Sequence, residues 1–249
     1  FLIVGKNTEQ QRNEVEHQIY VCSQTMACMC YETLKRYKEA YLLAKKLMSG
    51  SLTENEKKDV AHLYAMNGYM YATSFMHGSN RQLVKARTIL EEIMPYADGK
   101  VREYALPKIP LAWYFEGAEY HLSQQYDKAL ACYQNALKGF IELGKTDDEI
   151  SVLRHIAEIK EILYDVTGSE NAYKQALYLS RQTGKSDTQM EILKELWKIG
   201  KTIGDVQQAQ AYSASIDSLV DATSDLQTKY TYYNQKGNEA RDLGQYGIA

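Results

Sequence analysis

Apolar residues along this chain recur at intervals of three and four. Leu153, Ile156, Ala157 and Ile159 lie on one helix, and Ala172, Tyr173, Ala176, Leu177 and Leu179 lie on the next. No stretch alternates β-branched and polar residues between turn signals, so no strand is predicted. Glycines punctuate the helices at a fixed distance. Gly144 and Gly184 lie 40 residues apart, and so do Gly204 and Gly244. Each of the first pair is followed by lysine and a hydroxyl residue, in Gly144-Lys145-Thr146 and Gly184-Lys185-Ser186. Glycine supplies a left-handed helix end, and the hydroxyl is expected to open a capping box, Thr146-x-x-Glu149 or Ser186-x-x-Gln189. Thr53-x-x-Glu56 is expected to open an earlier helix in the same way. The unit is helix, glycine stop, cap, helix, glycine turn, helix, and the fold class is all-α.

Sliding the chain against itself extends this unit over almost its whole length. Trp113-x-x-Glu116-Gly117-x-x-Tyr120, then Tyr126, then Ala129-x-x-x-Tyr133-x-x-Ala136, resembles one tetratricopeptide repeat. Trp and Tyr fill the seam between paired helices, Gly lets two backbones approach, and small Ala sits at the crossing. The small column recurs at Ala40, Ala86, Ala129, Ser169, Ala209 and Ala249. The glycine column reads Cys28, Gly68, Gly117, Ala157, Trp197 and Gly237, and the tyrosine column keeps Tyr31, Tyr71 and Tyr120. The repeat is about 40 residues instead of 34, lacks the closing proline, and puts Asn67, Glu116 and Lys236 in the leucine column. In these departures it is similar to the longer-helix variant of bacterial signalling regulators and peptide-receptor regulators. The resemblance implies a right-handed superhelical solenoid of antiparallel helix pairs, about five full repeats plus a partial sixth. Residues 1–8 read as an N-terminal tail and 9–249 as a single solenoid. Its units fall at about 9–50, 53–97, 108–145, 146–185, 186–222 and, incomplete, 224–249. An insertion falls near Met76-His77-Gly78-Ser79-Asn80-Arg81. Trp197 in the small glycine column implies that the fifth unit packs differently.

Composition narrows the classes of function. The three prolines, Pro95, Pro107 and Pro110, mark one linker before the third unit and leave the rest of the chain without helix breakers. A net charge of −3 and a pI near 6.0 offer no bulk attraction to nucleic acid. No apolar run approaches the length of a membrane span. Four cysteines (Cys22, Cys28, Cys30, Cys132) in 249 residues make no disulfide framework and read as small core hydrophobes.

Candidate chemistry is sparse. Gly139-Phe-Ile-Glu-Leu-Gly144-Lys145-Thr146 matches the phosphate-binding loop letter for letter. That chemistry needs a strand before the loop, whereas Ala129 to Lys138 are predicted helical and Phe140, Ile141 and Leu143 continue the helix. A helix stop and cap explain the pattern. Cys22, Met26, Met29 and Cys30 share a helical face that could offer soft ligands, but Cys28 and Cys30 point roughly 200° apart on a helix. The five histidines have no zinc spacing, and no nucleophile elbow or paired carboxylate motif occurs. The chain therefore reads as non-enzymatic, with no cofactor and no metal.

Tyrosine is the unusual component, 21 residues against 4 phenylalanines. Tyr31, Tyr71, Tyr120 and Tyr133 fill seams, whereas the helical angle of Tyr69 and Tyr114 points away from them, as binding aromatics do. Stacked repeats form a concave face lined by the first helix of each pair. In the family this sequence resembles, groove residues follow the Trp column by one position, then four and seven further on. Carried over, this implies Met29 in the first unit, Tyr69 in the second, and Tyr114 with His121 in the third. It implies Arg154 and Glu158 in the fourth, Lys194 and Lys198 in the fifth, and Asn234, Asn238 and Arg241 in the sixth. The groove would pass from apolar and aromatic to basic and polar. The implied function is protein or peptide binding, as the sensing or docking region of a larger bacterial signalling or transcription regulator. The alternative is an architectural scaffold for a multiprotein complex, with a small-molecule or nucleotide site third. The expected partner is a protein or peptide in the groove, with no nucleic acid and no membrane span. Homo-oligomers and further domains beyond Ala249 stay open, as does the compartment, extracytoplasmic in a membrane-anchored regulator or cytoplasmic. Ala249 falls only a few residues into the second helix of the sixth unit. That position implies a fragment of a longer chain, or a partner covering Tyr233, Gly237 and Leu243.

Overall fold

The computed structural model describes residues 2–78 and 81–242, with side chains for 12–78, 81–234, 236 and 237. Among the described residues there is no strand. The chain divides into two compact units, residues 1–143 and 144–249, where the sequence periodicity alone treats 9–249 as one array.

The first unit runs α1 (Leu2–Thr33), α2 (Tyr37–Met48), α3 (Glu54–Ser74), α4 (Leu83–Ile93), α5 (Gly99–Ala105), α6 (Lys108–Leu122) and α7 (Tyr126–Glu142). Helices α1 to α4 pack each on the next, as do α6 and α7; α1 also touches α3, the short α5 touches α3 and α6, and α4 packs directly on α6. The proline-marked linker is therefore not bare loop. It holds α5, anchored by buried Val101 and Ala105, and Pro110 sits in the first turn of α6, where no intrahelical N–H is required. The core gathers Tyr41, Leu47, Val60, Leu63, Ile89, Leu90 and Ile93 from three helices, α2, α3 and α4. Each such side chain contributes about 1.5–3 kcal/mol by leaving water.

The second unit runs α8 (Thr146–Ile162), α9 (Val166–Thr183), α10 (Ser186–Ile203), α11 (Val206–Ala222) and α12 (Leu226–Asp242). Its core is the buried stripe of Ile150, Leu153, Ile156 and Ile159 on α8 against Tyr173 and Leu177 of α9, and Ile192, Leu193, Leu196 and Ile199 of α10.

The hairpin turn is the repeated device. Arg36, Gln125, Asp165 and Asp205 each donate a backbone N–H to the carbonyl five residues back, on Tyr31, Tyr120, Lys160 and Gly200, at 2.8–2.9 Å. The residue inside each turn is left-handed: Lys35 (φ 56°), Gln124 (φ 59°), Tyr164 (φ 61°) and Gly204 (φ 78°). Only the last is the glycine that such a conformation favours. Gly144 (φ 62°) and Gly184 (φ 69°) serve as the predicted stops between hairpins.

The caps differ in part from expectation. Thr53 and Glu56 form the complete reciprocal capping box. Thr146 and Ser186 do not, because each is already the first helical residue behind Lys145 or Lys185 and lacks the extended cap geometry from which a hydroxyl accepts the N–H three residues on. Side-chain caps come instead from Asp165, which accepts from the Gly168 N–H at 2.9 Å, and Asp205, which accepts from the Gln208 N–H at 3.0 Å. Gly244, Leu243 and Ala249, members of the predicted sixth unit, lie outside the described residues.

Candidate functional site

The predicted groove residues sit on the first helices of the hairpins. In the first unit, Met29 on α1 is 53% exposed while its neighbour Cys28 is fully buried. Tyr69 on α3 and Tyr114 on α6 are only half-buried instead of pointing clear of the seam. Tyr69 packs against the core, and the Tyr114 ring lies 5.8 Å from that of fully buried Tyr133. A tyrosine one position past the seam column is long enough for its ring to lean back over the edge, which helical angle alone does not convey. His121, near the end of α6, meets the Tyr126 ring edge-on at 6.0 Å.

In the second unit, Arg154 on α8 pairs with Glu191 of α10 at 2.9 Å, and Glu158 meets His155 Nδ1 at 2.9 Å. Lys194 and Lys198 of α10 line one cleft together with Trp197, Ser213 and Ile216 of α11, and Tyr232 and Lys236 of α12; its volume is about 160 Å³. Asn234 is exposed on α12. Asn238 and Arg241 lie on the same helix, and their side chains are outside those described. Sequence reasoning did not assign Trp197, Tyr232 or Lys236 to a site. The signal was present, since Trp197 and Lys236 both break their columns, but it read as irregular packing.

The phosphate-loop lookalike has no loop. Gly139 is inside α7, and a Cβ added there would stand 2.8 Å from Cβ of Pro110, so this glycine serves helix–helix approach. Cys28 and Cys132 are buried, and burial, seconded by Glu32 or Glu116, raises each thiol to about 11; Cys22 and Cys30 are exposed. The soft-ligand face of α1 therefore carries two exposed thiols.

The polar residues of the leucine column each find a partner, although the Oδ1 of fully buried Asn67 has none among the described residues. Asn67 donates to the Leu63 carbonyl at 2.9 Å, Glu116 meets Arg87 at 3.1 Å, and Lys236 meets Asp217 at 2.6 Å. The Arg87 guanidinium also lies 3.1 Å from the ring centroid of Trp113. Trp113 is thus a half-buried stacking platform and not a fully enclosed seam filler.

The frame that positions these side chains follows the repeat. Ala40, Ala86, Ala129, Ser169 and Ala209 are all buried, and Gly117 lets the Tyr133 ring approach to where a Cβ would be only 2.9 Å away. With the identical turn recurring at 124, 164 and 204, the period of 40 is a structural fact. The fold is an all-α array of helix hairpins with a repeating turn. No protein-family model matches the chain, and comparison with the curated proteins returns no significant match. Solved structures of similar kind include BtubC (BKLC) from P. vanneervenii, at 14% identity over 86% of this chain and 87% of that one, with a TM-score of 0.44. Another is the putative kinesin light chain from Podospora anserina, with nearly identical TPR-like repeats, at 14% identity over 80% and 94%, with a TM-score of 0.39. A signal transduction ATPase with numerous domains and a tetratricopeptide repeat sensor, from Pyrococcus horikoshii, matches at 16% identity over 84% of this chain and 31% of that one, with a TM-score of 0.41. The present chain thus spans about a third of that ATPase. Among the described residues, no helix is long and apolar enough to cross a membrane.

Proposed function

We propose that this chain is a non-enzymatic module that binds a protein segment or peptide along its first-helix faces, as the sensing or docking region of a larger bacterial signalling or transcription regulator. One observation carries the reading. Three of these side chains keep contact with solvent beside buried neighbours: Met29, exposed beside fully buried Cys28, and Arg154 and Lys194, half-buried beside Leu153 and Leu193. Those side chains do little for the core, and their character changes from thioether to guanidinium to ammonium along the chain. Within its own unit each can meet a bound segment, an apolar residue at Met29 and acidic residues at Arg154 and Lys194.

Peptides selected from a displayed library on the wild-type chain test the reading. Their affinity should fall about tenfold or more, roughly 1.4 kcal/mol, in Met29→Ser and in Arg154→Ala, while melting temperatures stay close to the parent's. Selected peptides that bind both variants as tightly as the parent would place the interaction elsewhere and defeat this assignment.

A further inference from the structure

Two departures from the repeat meet at one place. Trp197 occupies the column that elsewhere holds Cys28, Gly68, Gly117 and Ala157, and Lys236 occupies the leucine column; both line the 160 Å³ cleft among α10, α11 and α12. The close approach that the small column normally supplies has moved one turn along, to Gly200. A Cβ there would lie 3.3 Å from the Ala209 side chain and backbone nitrogen. Gly200 therefore keeps the hairpin tight and releases the Trp197 indole to form a wall. Tyr232 and buried Ile216 complete an apolar surface, and Ser213 adds a hydroxyl.

Positive charge converges on this surface. Glu195 holds Lys198 at 2.9 Å and 3.0 Å, and Asp217 holds Lys236 at 2.6 Å and 2.8 Å while accepting the Tyr232 hydroxyl at 2.9 Å. Lys194, half-buried at the cleft, has no ion pair or hydrogen bond among the described residues. Lys201 adds a fourth ammonium, 4.4 Å from the Trp197 ring centroid. Gathering like charges costs free energy unless anions join them; Glu195 and Asp217 are already engaged with Lys198 and Lys236, and Glu161, close enough to feel both Glu195 and Lys198, is a further carboxylate nearby. A neutral ring would leave the ammoniums unmatched, and a bare ion would leave the indole and phenol uncovered. A cleft of this volume holds one substituted ring, not a folded segment.

We infer that the α10–α12 cleft binds a small organic anion, a carboxylate or phosphate carried on a flat apolar body. Lys194 and Lys236 hold the oxyanion and Trp197 and Tyr232 cover the ring. The site shares Lys194 with the peptide reading, but ring anions alone test it, so it stands or falls without that reading. Phenyl phosphate and phenylacetate serve as probes, with inorganic phosphate and benzyl alcohol as the halves of each. Calorimetry and tryptophan fluorescence on the whole chain should show saturable binding of at least one ring anion, and which one identifies the headgroup. Both half-probes should bind at least tenfold more weakly. Lys194→Met and Lys236→Met keep the alkyl stems and should each weaken ring-anion binding about tenfold, whereas Lys138→Met on α7 leaves it unchanged. Lys194→Met decides if Lys236→Met disturbs α12, because Lys194 has no partner to lose. The inference is overturned if no ring anion saturates at millimolar concentration, if a half-probe binds as well, or if Lys194→Met binds like the parent.

Discussion

Glu116 stands where the repeat pattern keeps leucine, so pattern alone predicts that Glu116→Leu stabilises the chain. The structure predicts the reverse. The carboxylate meets Arg87 at 3.1 Å with side chains only 12% and 11% exposed, and the same guanidinium lies on the Trp113 ring. Two unit charges at 3.1 Å attract by about 5 kcal/mol at an effective dielectric of about 20. Loss of hydration offsets much of this, so the intact pair is worth little against an apolar pair of equal volume. Removing one member is a different matter. Leucine at 116 leaves a guanidinium only 11% exposed with Glu91 at 4.0 Å in place of a close partner, at about 3–5 kcal/mol, and recovers about 1 kcal/mol of apolar burial. The expected net loss is about 2–4 kcal/mol. Arg87→Met combined with Glu116→Leu removes the stranded charge and should return to within about 1 kcal/mol of the parent. Urea unfolding reads the difference as a shift of midpoint at constant slope. Trp113 fluorescence in a Trp197→Phe background reports the first unit directly. If Glu116→Leu alone raises the midpoint, or the double variant is as unstable as the single one, the ion pair is not the determinant described here.

Three further outcomes are expected. Gly139→Ala should lower the melting temperature by the equivalent of about 1–2 kcal/mol, because the new Cβ meets the rigid Pro110 ring at 2.8 Å and the helix gains only about 0.5–1 kcal/mol in return; ATP titrations should stay flat in the parent and in Lys145→Ala, and a micromolar affinity lost with Lys145 contradicts the helical reading. Burial pushes the Glu92 carboxyl up, but Lys45, Tyr64 and Tyr41 donate to it and prevail, so its pKa lies below the ordinary glutamate value. A depressed folded pKa means stability that is present above the unfolded value and lost as pH falls through the folded one; the advantage of the parent over Glu92→Gln at pH 7 should therefore shrink below about pH 4.3, and a constant gap from pH 7 to pH 3 refutes it. Cys22 and Cys30 should react promptly with a disulfide reagent at pH 8, and Cys28 and Cys132 only on unfolding, since both are buried with pKa values of about 11; four fast thiols would disprove the burial.

The all-α hairpin repeat was written locally and was legible there. Spacing of three and four sets each helix, glycine at 184 and 204 permits the left-handed ends, and the small column marks every crossing because only a small side chain fits between backbones. Thr53 and Glu56 form their capping box from four consecutive residues, and His17 of α1 adds only a further contact to Glu56 at 3.4 Å. What could not be read belongs to placement between helices. Gln124 and Tyr164 enter the left-handed region despite their side chains, since packing of the two helices they join outweighs the local strain. Arg87 finds Glu116 from a different hairpin, and Tyr114 leans over Tyr133 from one position outside the seam. Trp197 and Lys236 looked like two unrelated faults in the repeat, because nothing local links residues on α10 and α12. Only when α11 brings those helices together do the two faults become opposite walls of one charged cleft.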